Sequence, residues 1–162
     1  MEIIRTDCLV IGSGFAGASY ALYAARAGLD VQLLSLGGPL EANSDWAQGG
    51  IIYDTSTDPN LLIKDILEAS DGTANPAAVR QLVTEGPEAV RELLINDLQV
   101  GFDRSEDGKL EFTREGGHSA RRIIHAKDRT GHAILSAVAR GVDSTAGITR
   151  RTGAIAVDLL TL

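Results

Sequence analysis

The residues with the clearest chemistry form a glycine-rich loop near the start of the chain. The loop contains Gly12, Ser13, Gly14, Phe15, Ala16 and Gly17, and it matches the pattern G-x-G-x-x-G. In this pattern the first glycine allows a tight turn, the second lets the backbone approach a diphosphate, and the third lets a helix pack closely on a strand. The helix that follows would point free N–H groups and its positive dipole end at the phosphates. The loop therefore predicts a dinucleotide site, with a glycine turn needed only for packing as the alternative.

The acidic residue that usually binds a ribose hydroxyl in such a site is missing. It is expected at the end of the second strand, where this chain has Ser35 and Leu36. Asp30 comes too early in the chain and Glu41 rather late, which leaves Ser35 as a weaker hydrogen-bonding candidate. The missing acid argues against a standard NAD-binding module.

Gly49 and Gly50 form the second glycine pair, in the loop after the second strand. The segment contains Asn43, Ser44, Asp45, Trp46, Ala47, Gln48, Gly49 and Gly50. Adjacent glycines beside an amide side chain suit a backbone that passes close to a flat ligand. A plain surface turn would explain the same residues. Trp46 fits either stacking near such a ligand or anchoring the loop.

Residues 113–132 carry a local positive charge in an acidic chain. Five basic and two acidic residues make this segment +3, whereas the whole chain has a net charge of −7. Such a patch suggests a small anionic ligand rather than a polyanion. His118, His125 and His132 also fall here, seven residues apart, which is not a usual spacing of metal ligands. We therefore predict no metal site.

Taken together, these motifs resemble the family of L-aspartate oxidases and the related fumarate reductase and succinate dehydrogenase flavoproteins. The resemblance runs from Asp7 to Leu160, and the stretch T-R-E-G-G-H-S-x-R-R-I-x-H-x-x-D-x-T-G from Thr113 favours the aspartate oxidases. It implies oxidation of L-aspartate to iminoaspartate by FAD, with oxygen or fumarate as the electron acceptor. The product would enter quinolinate and NAD synthesis, which makes quinolinate synthase the candidate partner.

The resemblance also assigns roles to individual residues. The glycine loop, Ser35, Leu36 and the 43–50 segment would contact FAD, and Glu115 would hold the substrate ammonium group, for which a carboxylate is a good partner. Related dehydrogenases attach FAD through a histidine at the position of Asn43, so a non-covalent FAD is implied. No catalytic residue is expected here, because the family carries the catalytic arginine in a capping domain outside these 162 residues. For Arg121 and Arg122, substrate contact and a structural role both stay open.

An α/β fold must position these residues, and the expected form is a Rossmann-like FAD-binding domain of the glutathione-reductase type. Residues 6–12, 14–27 and 30–35 predict a strand, a helix and a strand. Pro59, Pro76 and Pro87 each predict the start of a helix. A hairpin turning at Asp107-Gly108 and a helix through Ile134, Leu135 and Val138 follow, and then a final strand over 154–162. That strand lacks neighbours, so we expect a fold that is incomplete at its C-terminus, the N-terminal part of a longer protein.

Composition narrows the class of protein further. The negative net charge disfavours nucleic-acid and anionic-membrane partners, and no apolar run approaches the roughly 18 residues of a membrane helix. A single cysteine, Cys8, and the lack of a secretory signal predict a cytoplasmic protein. The alternatives are a fumarate reductase-like flavoprotein, a folded fragment that holds no flavin, and an NAD-binding module.

Overall fold

The computed structural model describes residues 3–53 and 58–160, in two compact units. The first unit is Met1–Ala47 with Gly131–Leu162, and the second is Gln48–Thr130. A 3₁₀ turn covers Asn43–Trp46 and a π-helical stretch covers Val90–Asp97. The strands and helices in chain order are β1 (Cys8–Ile11), α1 (Phe15–Arg26), β2 (Val31–Leu34), β3 (Ile51–Ile52), α2 (Pro59–Ala69), α3 (Pro76–Ala89), β4 (Ile123–Ile124), α4 (Thr130–Ser144) and β5 (Ile148–Arg151).

The first unit is built on a parallel sheet with the strand order β1-β2-β5. The predicted strand–helix–strand unit is confirmed as β1, α1 and β2, with Cys8 opposite Val31 in the register. Helix α1 contacts both strands through small and buried side chains, among them Ala18, Ala21 and Leu22. Their small size lets the helix approach the sheet closely, which brings the glycine loop between β1 and α1 into a tight turn.

The prediction of a final strand over residues 154–162 is wrong. The last strand of the structure is β5, which ends at Arg151. Residues 154–160 form neither helix nor strand, while 161 and 162 lie outside the described residues. The turn at Gly147, with φ of +86°, places Ile148 directly opposite Val31 of β2. Arg150 and Arg151 hide this strand in the sequence, but each has a polar partner, because Arg150 Nη2 donates to Asp143 Oδ1 and Arg151 Nε donates to Gln32 Oε1.

The second unit is centred on the packing of α2 against α3. Leu62 of α2 and Val79 and Val83 of α3 form its buried core. Both helices begin with proline, as predicted, and their caps are Asp58, which accepts from Asn60 N, and Asn75, which accepts from the N–H groups of residues 77 and 78. Among the residues that the structure describes, no helix has both the length and the apolar character needed to cross a membrane.

Pro87 does not begin a third helix, contrary to the prediction. It lies inside α3, and the helix continues beyond it as the π-helical stretch Val90–Asp97. Proline removes one helical N–H and crowds the preceding turn, and a widened turn is one way in which a helix absorbs such a defect. Buried Leu93 and Leu94 hold the continued helix in the second unit.

A small antiparallel region completes the second unit. Strands β3 and β4 pair with Ile51 opposite Ile124, and Thr113 forms an isolated bridge to Ile123. The predicted hairpin is present as a single bridge between Arg104 and Leu110, with the turn at Gly108. These contacts bring residues 113–124 next to the strand that follows the second glycine pair.

Candidate functional site

The three glycines of the first loop are required for different reasons. Gly12 has a φ of +103°, which side-chain-bearing residues rarely adopt. A Cβ on Gly17 would lie 2.1 Å from the carbonyl oxygen of Gly12, so packing excludes any side chain there. A Cβ on Gly14 would meet only ordinary contacts, the nearest being Ser44 Oγ at 3.5 Å. The described residues themselves do not require glycine at 14, which is expected where a ligand approaches the backbone.

The N-terminus of α1 is suited to an anionic ligand. Its N-cap is Gly14, which has no side chain to cap the helix. Ser44 Oγ accepts from Phe15 N at 3.2 Å, and the next N–H groups, of Ala16 and Gly17, belong to the first turn, where no intrahelical acceptor exists. With buried Ser13 before the helix, these residues fit the diphosphate of a dinucleotide such as FAD.

The 43–47 segment is fixed to the start of α4. Gly131 N donates to Ala47 O at 2.8 Å, and a Cβ on Gly131 would lie 2.1 Å from Ser44 O. His132 Nδ1 lies 2.8 Å from Asp45 Oδ1. Trp46 is 80% exposed, so it does not anchor the loop. Sequence reasoning missed the role of Gly131 and His132, because they are distant in the chain from the loop they hold.

The end of β2 differs from the sequence prediction in one informative way. Ser35 is buried and donates its hydroxyl hydrogen to Gly37 O at 2.8 Å, while Leu36 is exposed. The chain then turns back, and Glu41 Oε1 accepts from Gly38 N at 3.0 Å. A carboxylate therefore lies beside the residues that follow β2, although sequence spacing alone placed Glu41 rather late for this position.

In the second unit, Glu115 lies on the second glycine pair. Gly50 N donates to Glu115 Oε1 at 2.7 Å, and a Cβ on Gly49 would lie 3.0 Å from Oε2. A Cβ on Gly50 would lie 2.4 Å from the backbone oxygen of Ile124, so the residue at this point must be glycine. Three of the sequence-predicted residues, Gly49, Gly50 and Glu115, are thus brought together in one place. Gln48 is exposed beside them.

A cavity of about 350 Å³ opens next to this contact. Glu115 and His118 are its only titratable lining residues among those described, and most of the others are aliphatic. His118 Nδ1 has no hydrogen-bond partner within the described part of the chain. The aliphatic residues of the lining are Ile51, Ile52, Leu62, Ile66, Leu82, Val83, Val90 and Ile123.

A buried ion pair supports the segment that carries Glu115. Arg122 is fully buried and its Nη2 contacts Asp65 Oδ2, while Ser119 donates its N–H and its hydroxyl to the same carboxylate at 2.8 and 2.7 Å. Burial raises the pKa of Asp65, but the hydrogen bonds from Ser119 and the charge of Arg122 outweigh it and lower the pKa overall. Arg122 thus has a structural role, and exposed Arg121 donates its Nε to Phe112 O.

Asp65 was missed from the sequence, although a signal for it exists. It falls on the same stripe of α2 as Leu62 and Ile66, where a carboxylate is unexpected unless it has a buried partner. The two remaining histidines have separate roles. His125 Nδ1 lies 3.0 Å from Asp103 Oδ2, and His132 holds the 43–47 segment.

Known proteins resemble this chain over nearly its whole length. A chain of L-aspartate oxidase from Halobacterium salinarum is 45% identical over 161 residues, which are 99% of this chain and 31% of that protein. The chloroplastic L-aspartate oxidase of Oryza sativa is 39% identical over 96% of this chain and 24% of its own length. The chain thus spans less than a third of each of these curated relatives.

Solved structures share the fold. Mycobacterium smegmatis Sdh1 in complex with UQ1 superposes with a TM-score of 0.86 at 25% identity, over 94% of this chain and 28% of that chain. The Escherichia coli quinol fumarate reductase FrdA, at 23% identity, has a TM-score of 0.83 over 93% of this chain and 26% of its own. A model of the FAD binding domain family matches residues 7–162. The chain therefore belongs to the FAD binding domain family, with the α/β fold that the glycine loop predicts.

Proposed function

We propose that this chain is the N-terminal part of an FAD-dependent L-aspartate oxidase, which converts L-aspartate to iminoaspartate. The observation that carries the proposal is the contact of Glu115 with Gly50, which places a carboxylate on the glycine pair beside a largely apolar cavity. The similarity to proteins named L-aspartate oxidase over nearly the whole chain supports the same activity. The capping domain and the catalytic residues of the enzyme would lie outside these 162 residues.

The proposed cofactor contacts lie mainly in the first unit. The N–H groups at the start of α1 would bind the diphosphate, and the 43–50 segment would lie along the rest of FAD. Asn43 stands where related enzymes carry the histidine that bonds to flavin, and an amide side chain does not form that bond. FAD would therefore be held without a covalent link. When bound, FAD supplies the hydride acceptor for the substrate α-carbon.

Glu115 would recognise the feature that distinguishes aspartate from succinate, its ammonium group. Gly50 N–H holds one oxygen of the carboxylate, and a carboxylate has further lone pairs free to accept from an ammonium donor. The aliphatic lining of the adjacent cavity lowers the local dielectric, which strengthens an ion pair formed there. Among the described residues that line this cavity there is no arginine or lysine.

The remaining features of the proposal concern the whole enzyme. Oxygen or fumarate would accept the electrons, and the iminoaspartate would feed quinolinate and NAD synthesis, with quinolinate synthase as the partner. We propose a cytoplasmic location on the basis of the single cysteine, Cys8. Several plant relatives are named chloroplastic, and that location is theirs.

Substitution of Glu115 tests this function in the complete, FAD-loaded enzyme. Glu115→Gln keeps the hydrogen bond to Gly50 N but removes the charge that would pair with the ammonium group. We expect kcat/KM for L-aspartate to fall about 10- to 100-fold, the range for a hydrogen bond to a charged group. Fumarate has no ammonium group, so its reduction should change by no more than roughly threefold by the same argument.

A matched control is Glu111→Gln, which removes the same charge from an exposed position of the second unit. Both activities should persist in that variant. Equal losses of aspartate oxidation and fumarate reduction in Glu115→Gln would refute the assigned role. A wild-type enzyme that binds FAD and reduces fumarate but does not oxidise aspartate would favour the fumarate reductase-like alternative.

A further inference from the structure

We propose that Glu41 binds the adenosine ribose of FAD and takes the place of the acidic residue that is missing at the end of β2. This inference rests on the FAD-binding part of the proposed function and not on the identity of the substrate. In dinucleotide-binding folds of this kind, a carboxylate after the second strand accepts from the ribose hydroxyls. Here the residues at that point are Ser35 and Leu36, and neither provides a carboxylate.

The backbone after β2 brings Glu41 back to this position. The chain turns at Pro39 and Leu40, and Glu41 N donates to Gly38 O at 3.1 Å. In return, Glu41 Oε1 accepts from Gly38 N at 3.0 Å. This pair of hydrogen bonds fixes the carboxylate against the segment that directly follows the strand. The turn thus brings the Glu41 carboxylate close to the end of β2, although Glu41 comes several residues later in the sequence.

Close packing confirms the location of the carboxylate. A Cβ on Gly37 would lie only 2.4 Å from Glu41 Oε2, so Gly37 leaves the room that this oxygen occupies. The next residue, Ala42, lies over the glycine loop, because its Cβ would be 3.7 Å from a Cβ on Gly14. Glu41 therefore lies between the end of β2 and the turn that would bind the diphosphate. In dinucleotide-binding folds, the ribose is bound near the end of the second strand.

The alternative residue, Ser35, is less suited to this role. Its single hydroxyl hydrogen is donated to Gly37 O, and the residue is buried. Glu41 is exposed and uses one of its roughly four lone-pair sites on Gly38 N. The remaining sites can accept from both hydroxyls of one ribose. An ionised acceptor also makes a shorter and stronger hydrogen bond than a neutral one.

The test compares ligands that differ in the ribose alone. Binding of ADP and of 2′-deoxy-ADP to the FAD-free complete enzyme is measured by titration calorimetry. We expect the wild type to prefer ADP by about tenfold, as for one hydrogen bond to a charged group. In Glu41→Gln this preference should fall to less than about twofold, since the charged acceptor is gone.

Binding of FAD itself gives a second readout through the quenching of flavin fluorescence. Glu41→Gln should weaken FAD binding by about tenfold and leave the binding of FMN, which has no adenosine, unchanged. Charge alone predicts the opposite direction, because removal of a negative charge near a diphosphate strengthens binding of the anion. The direction of the change therefore separates a ribose contact from a general electrostatic effect.

Glu85→Gln is the matched control, because Glu85 is also exposed and also accepts one hydrogen bond, from Gln81 Nε2 at 3.1 Å, but lies in α3. Equal binding of ADP and 2′-deoxy-ADP by the wild type would overturn the inference. A preference that Glu41→Gln retains, or that Ser35→Ala abolishes in its place, would do the same.

A second variant and the absence of substrate keep the ribose test independent of folding defects and of the proposed reaction. If Glu41→Gln does not fold, Glu41→Asp replaces it, because this variant keeps the charge and shortens the side chain. Loss of the ADP preference in Glu41→Asp supports the ribose contact. Retention of the preference opposes it. No substrate is present in any of these measurements. Failure of aspartate oxidation would therefore leave the ribose result intact, and failure of the ribose contact would leave the proposed reaction intact.

Discussion

Among single residues, Gly14 and Gly17 illustrate how packing and ligand binding place separate demands on the same loop. A Cβ on Gly17 would overlap the backbone of Gly12, whereas a Cβ on Gly14 meets its nearest neighbour at 3.5 Å. The φ of Gly14 is −64°, which any residue can adopt. The fold thus explains glycine at 17, and the proposed diphosphate contact would explain it at 14.

Alanine substitutions separate these two demands. Gly17→Ala should lower the free energy of unfolding by about 3 kcal/mol or more, because backbone atoms in a close-packed contact cannot easily move. Gly14→Ala should leave thermal unfolding of the FAD-free protein nearly unchanged but weaken FAD binding at least tenfold, roughly the effect of losing a charge-assisted hydrogen bond. Circular dichroism melts and flavin fluorescence titrations measure the two effects. Equal losses of stability in both variants would contradict the distinction.

The sequence was informative wherever a residue acts close to its own position in the chain. The glycine loop and the Asp58 and Asn75 caps follow from local backbone geometry, and the structure confirms both caps. Glu41 and Asp65 act through neighbours that only a turn or a helix packing brings near. For these two residues the sequence carried one signal only, a carboxylate on the apolar stripe of α2.

At the level of elements, β5 and the π-helical stretch show where prediction of secondary structure from local sequence patterns fails. Arg150 and Arg151 make β5 look unlike a buried strand in the sequence. In the structure, their side chains donate to polar partners on other elements. Pro87 conceals the continuity of α3, because proline usually marks a helix start and a wider turn here absorbs it. The first error arises from tertiary contacts and the second from a change in the helix geometry, and a local pattern contains neither.

The contact between α2 and the 119–122 segment supports the next prediction. Asp65→Asn leaves the buried Arg122 guanidinium without an ionised partner, and breaking a buried pair costs about 3–5 kcal/mol. Urea unfolding followed by circular dichroism should show a loss of this size in the complete FAD-free protein. Replacement of both partners, Asp65→Leu with Arg122→Met, should recover most of it. Glu68→Gln, on the exposed face of the same helix, is the matched control.

This pair also predicts a pH dependence with a definite sign. The pKa of Asp65 lies below its ordinary value of 3.8 in the folded protein. Its contribution to stability is therefore fully present above that value and is lost as the pH falls through the lower, folded pKa. The stability difference between wild type and Asp65→Asn should shrink with acidification below about pH 4. A difference that stays constant down to the acid transition would show that the charge of Asp65 is not the stabilising feature.

For the whole molecule, the way in which FAD is held distinguishes an aspartate oxidase from a fumarate reductase-like enzyme. An aspartate oxidase with Asn43 would hold FAD through contacts spread over the glycine loop, Glu41 and the 43–50 segment. Each contact depends on folded backbone, so none survives unfolding. A fumarate reductase-like enzyme with a covalent bond would keep its flavin in the unfolded state.

Acid precipitation of the complete enzyme tests this difference directly. We expect all flavin absorbance in the supernatant and none in the pellet, and the released compound should co-migrate with FAD. Free FAD added to protein that is already denatured controls for trapping in the pellet. Because ligand that binds only the folded state stabilises it, FAD at 100 times its Kd should also add about 2.7 kcal/mol to the stability of the enzyme. Flavin that stays with the washed pellet would show that another side chain bonds to it, and the role assigned to Asn43 would be wrong.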